Sequence, residues 1–160
     1  GNDNVNAQPE VLVAIGGLAG TSATTGLRTP TITRTRFVVG TTANTDFTAN
    51  DANAQIEVEI TFDEQVTVTG SPQLTVTNND ASGGGYGNLT LAYVSADSTA
   101  NQLRFRKTSA GIGNTDVLTV STLALNGGTI RDTAAAAAGN TVNATLTYAS
   151  GIAVSKTVSS

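Results

Sequence analysis

In the octet QIEVEITF, residues 55–62, every second side chain is apolar. An extended chain places Ile56, Val58, Ile60 and Phe62 on one side and Gln55, Glu57, Glu59 and Thr61 on the other, whereas a helix would scatter both sets. The octet therefore reads as a half-buried strand. The same period recurs between turn clusters in TITRTRFVV (31–39), QVTVTG (65–70), QLTVTN (73–78), GNLTLAYVS (87–95), NQLRFRKT (101–108), VLTVSTLAL (117–125), GTIRD (128–132), TVNATLTY (141–148) and GIAVS (151–155). Gly, Asn and Asp fill the intervening turns, as in NNDASGGGYG (78–87) and LNGGT (125–129). The expected fold is all-β, an antiparallel sandwich of seven or more short strands. AAAAA (134–138) is too short for a stable helix and reads as a helical turn or an apolar loop.

Three of these strands carry charged pairs at a spacing of two: Arg34 with Arg36, Glu57 with Glu59, and Arg104 with Arg106. If 55–62 lies between the other two strands, acidic side chains are flanked on both sides by basic ones. This predicts a structural charge ladder on a solvated face, each opposite pair contributing roughly 0.2–1 kcal/mol and helping register. The alternative, an arginine patch for an acidic partner, is disfavoured because the glutamates would neutralise it.

The chain has no Cys and no His. It therefore lacks thiolate and imidazole nucleophile pairs, disulfides and the common zinc ligand sets, and no enzyme activity is expected. Adjacent Asp63 and Glu64 invite comparison with paired catalytic carboxylates, but they sit at a strand end where neighbours point apart. No D-x-[DN]-x-[DN]-G loop is present, so no cofactor is expected; Ca²⁺ held by turn carboxylates is the one ion considered. GGGYG (83–87) lacks the Lys of a phosphate loop and reads as a flexible hairpin tip. A net charge of −4 disfavours nucleic acid as a partner, and no membrane segment is read.

FTANDANAQIEVEITFDEQVTVTGSPQLTVTN (47–78), LAYVSADSTANQLRFRKTSAG (91–111) and LALNGGTIRDTAAAAAGN (123–140) together resemble the immunoglobulin-like repeats of large bacterial surface proteins, including secreted adhesins. The matching features are Phe62 before Asp63, the V-T-V-T-G-x-P-x-L turn from Val66 to Leu74, and L-N-G-G-T-I-x-D from Leu125 to Asp132. The resemblance covers about residues 29–148 and implies an immunoglobulin-like antiparallel β-sandwich, with residues 1–28 as an N-terminal arm and 149–160 as a C-terminal strand or tail.

The arm carries VLVAIGGLAG (11–20), the densest apolar run of the chain. Leaving large apolar side chains in water forgoes roughly 1.5–3 kcal/mol each, so a cover is expected for Val11, Leu12, Val13, Ala14, Ile15 and Leu18. The cover is either the chain's own sandwich or, by strand addition, a protein subunit of a larger assembly. One such domain flanked by arms resembles the decoration proteins of tailed-phage capsids. The expected function is a non-enzymatic structural one: a display or decoration domain attached through its arm to a large assembly such as a phage capsid, with capsid or neighbouring copies as partners and the virion surface as location. The alternative is a module of an extracellular bacterial adhesin at the cell surface, with Ca²⁺ in its loops as a stabilising ion. A third reading, carbohydrate binding through the 78–87 and 95–101 loops, draws on Tyr86 and Tyr93.

Overall fold

The computed structural model describes residues 30–39, 42–43, 47–48, 55–108, 111–133, 143–144 and 155–159. The alternating octet forms a strand one residue shorter than expected, Ile56–Phe62. In chain order the strands are β1 Ile32–Val39, β2 Thr42–Ala43, β3 Phe47–Thr48, β4 Ile56–Phe62, β5 Val66–Thr69, β6 Gln73–Asn78, β7 Leu89–Tyr93, β8 Gln102–Lys107, β9 Val117–Ala124, β10 Thr129–Asp132 and β11 Ser155–Ser159. One turn of 3-10 helix, Ser95–Asp97, joins β7 to β8. The protein is all-β, and among the described residues every strand pair except β3 with β11 is antiparallel.

Nine strands are bonded in the order β2-β1-β4-β8-β7-β6-β9-β11-β3, while β10 and β5 form a separate pair. Laid flat, eight strand spacings would separate β2 from β3 by roughly 38 Å. Yet only residues 44–46 lie between Ala43 and Phe47, and four peptide steps reach at most about 14 Å. The sheet must therefore curl until its two ends come close. Within it β7 meets β8 through two residue pairs, Ala92 with Arg106 and Tyr93 with Phe105. There the Tyr93 and Phe105 rings pack at a tilt, their centroids 5.8 Å apart.

The curled sheet encloses one core. Ile56, Val58, Ile60 and Phe62 of β4 meet Leu103 and Phe105 of β8, Leu89 and Leu91 of β7, Leu74 and Val76 of β6, and Leu118 and Val120 of β9. The small β5–β10 sheet contributes Val66 and Ile130 to the same cluster. β9 leads into β10 through Asn126 and Gly127, both at positive φ, with the Gly128 N–H donating to the Leu125 carbonyl: a type I′ turn that suits the Asn-Gly pair.

β1 contains a feature that alternation alone does not show. Strict period two would put Ile32, Arg34 and Arg36 on one face. Instead Ile32 pairs with Phe62 and Arg34 with Thr61, so Thr33 is an extra residue in a β-bulge. The bulge lets Ile32 and Phe37 face the core while Arg34 and Arg36 face outward beside Glu59.

At the C-terminus the described strand is Ser155–Ser159, seated between β9 and β3; residues 151–154 of the expected strand 151–155 lie outside the described residues. Of the expected strand 141–148 only residues 143 and 144 are described. They are not a strand, but the Ala144 N–H donates to the Ile130 carbonyl at 2.7 Å. The 1–28 arm, with Val11, Leu12, Val13, Ala14, Ile15 and Leu18, and the alanine run 134–138 lie outside the described residues.

Candidate functional site

β4 lies between β1 and β8, so each of its outward side chains has a cross-strand neighbour on either side. Glu59 pairs in register with Arg36 of β1 and Arg104 of β8, and Glu57 pairs with Arg106. The six charged residues singled out from sequence are thereby brought together. Glu59 Oε1 accepts from Arg36 Nε and from an Arg34 amine, both at 2.9 Å. Arg104 straddles the two glutamates, 2.9 Å from Glu57 Oε1 and 2.8 Å from Glu59 Oε2. Arg106 Nε donates to Glu57 Oε2 at 2.8 Å, and its terminal amine pairs with Asp97.

These charges do not form the solvated ladder expected of them. Glu57 and Glu59 are each 1% exposed and Arg104 is 7% exposed. The two glutamates lie on a strand flanked on both sides, and four arginines reach them from β1 and β8. Burial by itself would raise the Glu59 pKa, but the hydrogen bond from Arg36 and the charges of Arg104, Arg36 and Arg34 outweigh it and hold the carboxyl below its ordinary range. Arg106 is pushed further up, chiefly by its hydrogen bond to Glu57. Asp97 is the member that alternation could not supply, because it sits on the connecting turn. The signal available was an acid in the turn five residues ahead of the R-x-R strand.

A second polar construction joins the loops 78–88 and 111–116. Asp116 is fully buried. Its Oδ1 accepts from the Ser82 N–H at 2.9 Å, and its Oδ2 from the Asn78 amide at 2.9 Å and the Gly113 N–H at 2.8 Å. Desolvation opposes its charge, but these donors prevail and hold its pKa at about 2. Asp80 closes the same loop by accepting from the Gly85 and Tyr86 N–H groups, and Asn79 accepts from those of Ala81 and Val117. GGGYG is thus tied down on both sides rather than a loose tip. Between the loops lies a cleft of about 400 Å³, lined by Ala81, Ser82, Gly84, Tyr86, Gly113, Asn114 and Thr115. Tyr93, the other aromatic considered for a ligand, packs instead on Phe105.

The third group is acidic. Asp63 Oδ1 accepts from the Thr31 N–H at 2.8 Å while its own N–H donates to the Thr31 carbonyl, clamping the start of β1 to the end of β4. The Oε1 of Glu64, next in the chain, is buried without a hydrogen-bond partner. Burial first, then the nearby charges of Asp132 and Asp63, push its pKa up to about 7. Among the described residues no group of three or more acidic side chains is arranged to hold a metal ion.

Chemically, the first and third groups hold strands together, and the cleft offers an aromatic ring, small hydroxyl and amide side chains and backbone polar groups. No family model, curated protein or solved structure matches this chain.

Proposed function

We propose that the protein is a non-enzymatic structural module: an immunoglobulin-like display domain held on a larger assembly, such as a phage capsid, through residues 1–28. The observation that carries this reading is how the charged side chains are used. Glu57, Glu59, Arg34, Arg36, Arg104, Arg106 and Asp97 bind one another across three strands and a turn, and Asp80 and Asp116 are occupied by loop donors. Charged chemistry committed to holding a rigid frame suits a scaffold, because catalytic groups must face a reacting molecule.

The apolar run Val11–Ile15 supports attachment through the N-terminal segment, since apolar strand-length segments are covered by an edge or a groove when a partner provides one. The test is incorporation. The full chain and a chain lacking residues 1–28 are supplied to the native source, and the amount bound to purified particles or cell envelopes is measured. Loss of attachment by a truncated chain that keeps its β-sheet circular dichroism is the expected result. Equal incorporation of both sinks the reading.

A further inference from the structure

We propose that the cleft between the loops 78–88 and 111–116 is a binding site for a neutral saccharide. Its volume of about 400 Å³ falls within the range of small-molecule sites, roughly 300–1,000 Å³. Every lining residue is uncharged. A charged ligand would lose hydration there without a counter-charge, and the carboxylates of Asp80 and Asp116 behind the lining repel anions. A ligand bearing hydroxyl groups and a flat apolar face matches what is offered: the Tyr86 ring, with Ser82, Asn114 and Thr115 around it.

The site is also built in advance. Tyr86 is seated among glycines: a Cβ on Gly84 would lie 2.3 Å from its Cε2, and one on Gly111 2.9 Å from its Cδ1. A side chain on either would displace the ring. Thr115 has a φ of 71°, a left-handed conformation that a β-branched residue seldom adopts. The hydrogen bonds to Asp116 and Asp80 hold both loops in place. Thr115 is exposed at the rim of the cleft, in a turn closed by the Asp116 N–H and the Gly113 carbonyl, and loops held in place before a ligand arrives lower the ordering cost of binding.

The experiment uses the full chain on an array of neutral oligosaccharides (glucans, mannans, galactans, xylans and N-acetylhexosamine oligomers) beside acidic glycans. The best-retained glycan is then titrated by calorimetry and by amide NMR. Saturable binding of a neutral glycan is expected, with shifts centred on residues 81–86 and 113–115 and an affinity at least tenfold weaker in Tyr86→Ala. Because that change also empties the glycine seat, Asn114→Ala provides an independent reading: Asn114 is exposed, and its loss should weaken binding several-fold at an unchanged melting temperature. Retention of acidic glycans alone, shifts confined to other faces, full affinity in Asn114→Ala, or no response up to about 10 mM ligand overturns the proposal. None of these outcomes depends on how the chain is attached to an assembly.

Discussion

The guanidinium of Arg104 lies 2.9 Å from Glu57 Oε1, and both side chains are almost wholly removed from water. The same guanidinium also reaches Glu59, so one cation on β8 holds two carboxylates on β4 that would otherwise repel each other. Each buried ion carries a desolvation penalty of several kcal/mol, repaid only when its partners are well placed. Here they are, because the register that pairs Glu59 with Arg104 and Glu57 with Arg106 is the same register that turns Ile56, Val58 and Ile60 into the core. A slip of one residue would lose both sets of contacts together.

Removing the central cation should therefore be costly. Arg104→Ala is expected to lower the free energy of unfolding by roughly 3–5 kcal/mol, since it leaves two buried carboxylates short of a partner. Arg34 is 48% exposed, and its partner Glu59 keeps Arg36 and Arg104, so Arg34→Ala should cost less than about 1 kcal/mol. Urea unfolding of both variants checks the contrast. Similar losses at the two positions would mean that burial does not set the energetics of the network.

A smaller effect of opposite sign is expected at Thr35, which faces the same side of the sheet as Ile60, its cross-strand partner. The Thr35 hydroxyl is buried with no hydrogen-bond partner. Valine keeps the shape and removes the unmet polar group, so Thr35→Val should raise stability by about 1 kcal/mol. A loss of stability in the same unfolding assay would show that the hydroxyl has a role in β1.

How much of this was legible beforehand varied with range. Alternation in QIEVEITF and QLTVTN located β4 and β6 because each has one face in the core, a local and periodic demand. The same reasoning placed Glu57 and Glu59 on the outer face but had no means of finding them buried, since coverage comes from side chains on two other strands. The bulge at Thr33 was invisible for a related reason: only pairing with β4 shows that one residue is extra. Asp116 and Asn78 are 38 positions apart, so neither reads as half of a loop lock until the fold joins them. At the C-terminus, alternation reaches only as far as Ser155, whereas pairing with β9 and β3 carries strand through Ser155–Ser159.

Glu64 should give the domain a measurable pH dependence. Its pKa rises from the ordinary 4.5 in the unfolded chain to about 7 in the folded one, chiefly by burial and then by Asp132 and Asp63. A raised carboxyl pKa means that the folded state binds the proton more tightly, so this group stabilises the fold at low pH. That contribution is lost as pH climbs from about 4.5 to 7, by up to about 3 kcal/mol, and is constant above. Glu64→Gln removes the ionisation, so the variant should be more stable than the parent at pH 8 and differ little at pH 4. A parent and variant with parallel stability curves over this range would exclude Glu64 as the source.

The last prediction concerns the crossing of two turns. Gly70 at the end of β5 and Gly128 ahead of β10 approach so closely that a Cβ on Gly70 would lie 2.8 Å from Gly128 Cα. A Cβ on Gly128 would be 2.1 Å from the Thr69 carbonyl oxygen, a backbone atom that cannot move without parting β5 from β10. Gly128→Ala should therefore cost at least roughly 1–3 kcal/mol through overpacking and loosen the Val66 and Ile130 corner of the core. Its neighbour Gly127 makes a sharp control. It has a φ of 78° but open space around it, and asparagine tolerates that conformation, so Gly127→Asn should change stability by less than about 1 kcal/mol. Chemical unfolding separates the two cases: a large loss at 128 with little at 127 assigns the requirement to backbone contact between the turns, whereas equal losses assign it to backbone conformation.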